Sequence, residues 1–89
     1  MIVHEALEFK NLSASAQVKD GTGVLAGIFV ASASATPTIK VWAQTTAAVP
    51  ILVNTFTPVA GTFYPMPARF SAGLYVTIGG TVDCTVFFV

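Results

Sequence analysis

The chain has 89 residues, of which 54% are apolar and only 9% are charged, and four Lys and Arg residues balance four Asp and Glu residues. A soluble domain usually carries about 25% charged residues. This composition excludes a disordered tail, a protein that binds nucleic acid by releasing counterions, and a polybasic membrane-surface protein. The length allows one domain.

The small number of charged residues also limits how polar the surface can be. A folded monomer of this size exposes about 5,000 Å², and only eight charged residues are available to cover it. A neutral surface with large apolar patches promotes self-association. We therefore expect much of the surface to be covered by other subunits.

Residues 1–10 differ from the rest of the chain because they are rich in charge. Their apolar residues fit either a helix or a strand, so we expect an N-terminal arm or a first strand, followed by a single β-sandwich domain over residues 11–89. His4, Glu5 and Glu8 stand where a signal peptide needs a basic segment and then a long apolar run, so we predict no signal peptide. The apolar run Val24–Ala31 is too short to span a bilayer.

The first half of the chain shows the residue pattern of β-strands. Alternation predicts a half-buried strand over Leu12–Val18, and Lys19–Thr22 has the Asp-Gly signature of a turn. Val24–Ala33 is more apolar and is predicted to be a strand covered on both faces. Ala35–Pro37 is predicted to end that strand, and Thr38–Gln44 to form the next.

The second half continues the pattern. Ile51–Phe56 is a predicted strand, and Thr62–Phe70 contains two prolines, which favours an edge strand or irregular structure. Leu74–Ile78 and Val82–Val89 are predicted to form a hairpin through a three-residue loop, Gly79–Thr81, because that loop pairs apolar with apolar side chains. Seven to eight short strands without helices predict an all-β fold, an antiparallel β-sandwich or a jelly-roll-like small barrel.

The residues that usually carry chemistry are scarce. His4 is the only histidine, so neither a zinc site nor a catalytic triad can be assembled around it. Cys84 falls on the apolar face of its strand and is predicted to be a buried structural thiol. Asp83 is predicted to be an exposed strand residue or to form an interface ion pair with Arg69 or Lys40. We expect no catalytic, cofactor-binding or metal-binding residues, and so no enzyme.

Aromatic and cationic residues are the better candidates for contacts. Aromatic side chains in a small sandwich belong more often to the core or to a subunit interface than to a glycan site. Lys40 and Trp42 share a strand face and can stack. The strand Val24–Val30 is a further anchor for packing or contact. The interface candidates are Lys40, Trp42, Phe63, Tyr64, Arg69 and Tyr75.

Four stretches carry a resemblance to a known group of proteins. Val24–Val30, Thr36–Trp42, Val53–Pro65 and Gly73–Asp83 resemble the corresponding motifs of small structural proteins of tailed-bacteriophage virions. The resemblance covers nearly all of the chain after Phe9. It implies a virion component of the capsid cement or decoration type with a β-sandwich or jelly-roll body, and it implies no particular functional residues.

The residue composition favours the same function. An uncharged body suits a protein buried on several sides, because an unpaired buried charge is costly. We expect a homo-oligomer, a trimer at local threefold positions, that binds the major capsid protein on the phage head after synthesis in the host cytoplasm. We expect no nucleic-acid or membrane partner. The alternatives are a head-fibre, vertex or tail module that binds host glycans through aromatic residues, and a tail or baseplate subunit.

Overall fold

The computed structural model describes residues 7–89 and forms a single antiparallel sheet of six strands with no helix. The all-β antiparallel prediction is confirmed, with six strands rather than seven to eight. Residues 1–6 of the predicted arm or first strand lie outside the described residues, and the first strand begins at Glu8. The strands are β1 Glu8–Leu12, β2 Ala16–Asp20, β3 Gly23–Trp42, β4 Ile51–Phe56, β5 Thr62–Phe70 and β6 Gly73–Phe88.

Two long strands form the centre of the sheet. β3 has 20 residues and β6 has 16. They pair antiparallel along most of their length, from Leu25 opposite Phe88 to Trp42 opposite Tyr75. Every other strand pairs with one of these two, so β3 and β6 position all the surfaces described below.

The four short strands divide the sheet into two halves. In the first half β1 pairs with the end of β6, and β5 pairs with the beginning of β3. In the second half β2 pairs with the beginning of β6, and β4 pairs with the end of β3. β5 contains Pro65 and Pro67 and lies at an edge, as expected for a strand that lacks two ladder donors.

A corner joins the two halves. Ala35 and Thr36 have φ of 56° and 55°, and Gly80 on the opposite strand has φ of 69°. A Cβ on Gly80 would lie 2.4 Å from the carbonyl oxygen of Ala35, so only glycine fits there. The ladder between β3 and β6 is interrupted from Ser34 to Thr38 and resumes on the far side.

This corner corrects two predictions. Ala35–Pro37 does not end a strand, and Gly79–Thr81 does not close a hairpin, because both segments lie within the long strands β3 and β6. Leu74–Ile78 and Val82–Val89 therefore do not pair with each other but with β3. A bend within a strand needs the same positive φ angles and the same missing ladder hydrogen bonds as a turn between strands. The two therefore favour the same residue types and cannot be told apart by the local sequence.

A single cluster of buried residues fills the inside of the folded sheet. It takes side chains from both halves and contains no buried polar or charged residue among those the structure describes. Alternation along the strands explains its membership, because every second residue points inward, except where register shifts in β3 insert an extra residue. The buried side chains are Leu12, Leu25, Ile28, Val30, Ile39, Val41, Phe70, Leu74, Val76, Val82, Cys84, Val86 and Phe88.

Two further predictions are corrected at the surface. Val24–Ala33 is not covered on both faces, because Val24 and Phe29 are exposed on the side away from the core. Leu12–Val18 is not one strand but belongs to β1 and β2, which meet β6 at Cys84 and at Val76 respectively. Within residues 7–89 no helix could cross a membrane.

Candidate functional site

The most distinctive surface is a group of four phenylalanines on the outer side of the first half of the sheet. Phe9, Phe29, Phe63 and Phe87 come from four different strands, β1, β3, β5 and β6. We call this group the phenylalanine surface. The register places Phe9 opposite Phe87 and Phe29 opposite Phe63, so the four side chains form two neighbouring rows.

These rings are poorly covered. Phe9 is 63% exposed, Phe63 is 48% exposed and Phe29 is 38% exposed, and Phe87 is half-buried. A single exposed hydrophobic residue needs no explanation, but a contiguous group marks an interaction surface. The group is contiguous because cross-strand neighbours on one face of a sheet lie within contact distance.

Gly27 shapes the centre of this surface. It lies between Phe87 on one side and Pro65 on the other. A Cβ on Gly27 would lie 2.5 Å from Cζ of Phe63, so the phenyl ring occupies the space that a side chain would take. The ring thereby reaches the edge of Phe87, with the two centroids 6.2 Å apart. This edge-on contact across β3 links the two rows of the phenylalanine surface.

A second surface lies on the outer side of the other half. It consists of Lys40, Trp42, Tyr75 and Thr77, and we call it the tryptophan surface. Trp42 lies opposite Tyr75 and Lys40 lies opposite Thr77, all with half-buried side chains. The structure thus brings together three of the six residues predicted for an interface.

Two contacts hold Trp42 in place. Its indole Nε1 donates a hydrogen bond of 2.8 Å to Oγ1 of Thr77. The Lys40 ammonium lies 4.3 Å from the centre of the indole ring, which is a cation–π contact. Lys40 therefore covers one face of the indole ring, and a sugar could not stack on that face.

The remaining predicted interface residues are dispersed. Phe63 belongs to the phenylalanine surface, whereas Tyr64 points to the other side of β5 and packs on Phe56 with ring centroids 5.1 Å apart. The Tyr64 hydroxyl accepts a hydrogen bond of 2.8 Å from the backbone N–H of Val59, so this residue holds a loop. Arg69 is exposed on the same side of β5 as Phe63, opposite Val24.

Phe9 and Phe87 are not among the interface residues predicted from the sequence. The sequence does indicate an outward position for one of two phenylalanines: Phe87 and Phe88 are adjacent on one strand, so their side chains point to opposite sides of the sheet and cannot both face the core. No such signal existed for Phe9, since the partner of β1 depends on a contact with the far end of the chain.

Cys84 is buried on the inner side of β6. Burial, with a smaller contribution from the neighbouring Asp83 carboxylate, raises the pKa of the thiol to about 11. The group is thus a neutral thiol at physiological pH, the opposite of an activated nucleophile. Among the described residues, no three His, Cys, Asp or Glu side chains lie close enough together to hold a metal ion.

Comparison with known proteins gives no relative: no protein-family model, no curated protein and no solved structure matches this chain.

Proposed function

We propose that this chain is a non-enzymatic structural subunit of a tailed-phage virion, a capsid cement or decoration protein that acts as a homo-oligomer on the head. The observation that carries the proposal is the phenylalanine surface. Three of its four rings are more than one-third exposed on a rigid sheet face. An exposed apolar surface of this kind is typical of a site that contacts another protein surface.

The distribution of charge supports the same function. The whole chain has only eight charged residues, and they sum to zero. A subunit that is enclosed on several sides buries much of its surface, and each unpaired charge in such a contact is strongly destabilising. An uncharged body avoids that cost at every contact.

Two outward surfaces also suit a protein that has two kinds of neighbour. The phenylalanine surface and the tryptophan surface lie on different halves of the sheet, on either side of the corner. One can contact other copies of the chain while the other contacts the capsid protein. We propose a trimer at local threefold positions of the head, which covers sheet edges that would otherwise invite aggregation.

The test is made with heads assembled without this protein. Purified protein is added to the bare heads, bound protein is measured by co-sedimentation, and the temperature at which the heads release their DNA is measured. We expect saturable binding and a higher release temperature. Heads that bind none of the protein, or that bind it without gaining heat resistance, would contradict the proposal.

A matched pair of variants relates the effect to the surface. Phe9→Ser removes an exposed ring from the phenylalanine surface, whereas Val59→Ser removes an apolar side chain of similar exposure from a loop. We expect Phe9→Ser to lower the protection of the heads and Val59→Ser to leave it unchanged. Equal effects of the two variants would argue that the phenylalanine surface has no special role.

A further inference from the structure

Two charged residues on the outer side of this half of the sheet have opposite signs and lie at opposite ends of the phenylalanine surface. Arg69 on β5 is opposite Val24, at the beginning of β3. Asp83 on β6 is opposite Ser32, eight residues further along the same strand. Both side chains are exposed.

Both residues also point to the same side of the sheet as the phenylalanines. Arg69 precedes the buried Phe70, and Asp83 stands between the buried residues Val82 and Cys84. Alternation therefore turns both charges outward. β1 has charged residues too, but Glu8 and Lys10 alternate with Phe9 and so point to the other side of the sheet.

The distance between the two charges prevents them from pairing within one molecule. Val24 pairs with Val89 and Ser32 with Asp83, so the two positions are six residues apart along the line of β6, which is about 20 Å at the usual rise of a strand. An ion pair needs the charged atoms within about 4 Å. Arg69 and Asp83 of one molecule therefore do not pair with each other.

We propose that the phenylalanine surface is a contact between copies of this chain, in which Arg69 of one copy pairs with Asp83 of the next. A second copy of the chain fits this surface because the surface carries a cation at one end, an anion at the other and phenyl rings between them. A surface with this arrangement complements itself head to tail, because the Arg69 end of one copy places a cation against the anion at the Asp83 end of the next. The zero net charge leaves no overall repulsion between copies.

This inference deepens the proposed function by naming the contact between subunits. In a threefold ring whose phenylalanine surfaces face the axis, the Arg69 end of each copy meets the Asp83 end of its neighbour. The rings would supply the apolar contact, and the charged residues at the rim would set the register and suppress other orientations.

Charge reversal is the appropriate experiment. The molar mass of the purified protein is measured by light scattering from about 1 to 100 μM, for the wild type, Arg69→Asp, Asp83→Arg and the double reversal. We expect a wild-type oligomer, a dissociation constant raised at least about fivefold in each single variant, and recovery in the double variant. Lys10→Asp and Asp20→Arg make the same changes of charge at exposed positions outside the surface and serve as controls.

Three outcomes would overturn the inference. The first is a wild type that stays monomeric over the whole range of concentrations. The second is a pair of single reversals that affect association no more than their controls. The third is a double reversal that remains as weak as the single variants, which would show that the two residues do not pair.

Two checks separate this result from its alternatives. Thermal unfolding of each variant shows whether the fold is intact, since all four positions are exposed and should tolerate the change. The head-binding assay is independent of the solution mass. Protection of heads by a monomeric protein would leave the proposed function standing and overturn only the contact between copies.

Discussion

The ring of Phe63 lies across the backbone of Gly27, in the space where any other residue would place its Cβ. The contact joins β5 to β3 on the outer side of the sheet, where no core packing supports it. It depends on one residue having no side chain and on another having a large flat one. Each can be changed separately.

We expect Gly27→Ala to lower the free energy of unfolding by about 1–3 kcal/mol, the usual cost of overpacking. The new methyl group would meet the Phe63 ring and also the carbonyl oxygen of Tyr64, at 2.7 Å. Urea unfolding measures the change. In a Phe63→Ala background the same substitution should cost less, by at least about 0.5 kcal/mol. An equal cost in both backgrounds would show that the ring does not occupy this space in solution.

The bond from the indole of Trp42 to the hydroxyl of Thr77 gives a second prediction. Thr77→Val keeps the shape of the side chain but removes the acceptor, and we expect it to lower stability by about 1 kcal/mol. Thr77→Ser keeps the hydroxyl and should retain most of that stability. Trp42 is the only tryptophan, so its fluorescence follows the unfolding of all three proteins directly. Equal stability of the valine variant and the wild type would contradict the bond.

The corner between the two halves gives a third prediction, in which two substitutions act in opposite directions. Gly80→Ala should lower the free energy of unfolding by more than about 2 kcal/mol, because its positive φ and the two nearby carbonyl oxygens of β3 both exclude a Cβ. Ala35→Gly relieves a positive φ at the same corner and should change stability by less than about 1 kcal/mol, in the favourable direction. A clear loss of stability in Ala35→Gly would show that the corner has another conformation.

The raised pKa of Cys84 gives a dependence of stability on pH. Its ordinary value is 9.0 and burial raises it to about 11. Above pH 9 the unfolded chain loses the thiol proton while the folded chain keeps it, so the folded state binds more protons and stability falls as pH rises towards 11. Cys84→Ala removes this contribution. We expect the loss of stability as the pH rises from 9.0 to about 11 to be larger in the wild type than in the variant, as measured by urea unfolding at each pH.

Much of the fold can be predicted from the sequence, and the errors have one physical origin. Ile51–Phe56 and Thr62–Phe70 are predicted with the bounds of β4 and β5, because proline and glycine isolate those segments clearly. Ala35–Pro37 and Gly79–Thr81 are identified as irregular but wrongly interpreted as ends of strands. The local sequence indicates only that regular β-structure is interrupted in these two segments. Whether it reverses or bends depends on the two segments lying opposite each other, which is a property of the folded sheet.

The candidate site is less predictable for a similar reason. Lys40 and Trp42 come together because they are two residues apart on one strand, and local alternation is sufficient to predict that. The phenylalanine surface needs four strands in a particular order, and local patterns contain no information on that order. Arg69 and Asp83 can be recognised as scarce charges in the sequence, but only the register places them at the two ends of one surface.

The central position of β6 has a consequence for the order of events in assembly. β1 and β2 pair with this strand, and so does most of β3. β3 can pair with β4 and β5 earlier, but residues 73–88 must be synthesised before β1 and β2 acquire the strand that holds them in the sheet. Pairing over such sequence distances is slow. The phenylalanine surface needs β6 for Phe87 and for the support of Phe9, so it is incomplete on a chain that lacks β6. Recognition through the complete surface therefore selects chains in which β6 has been synthesised and has folded into the sheet.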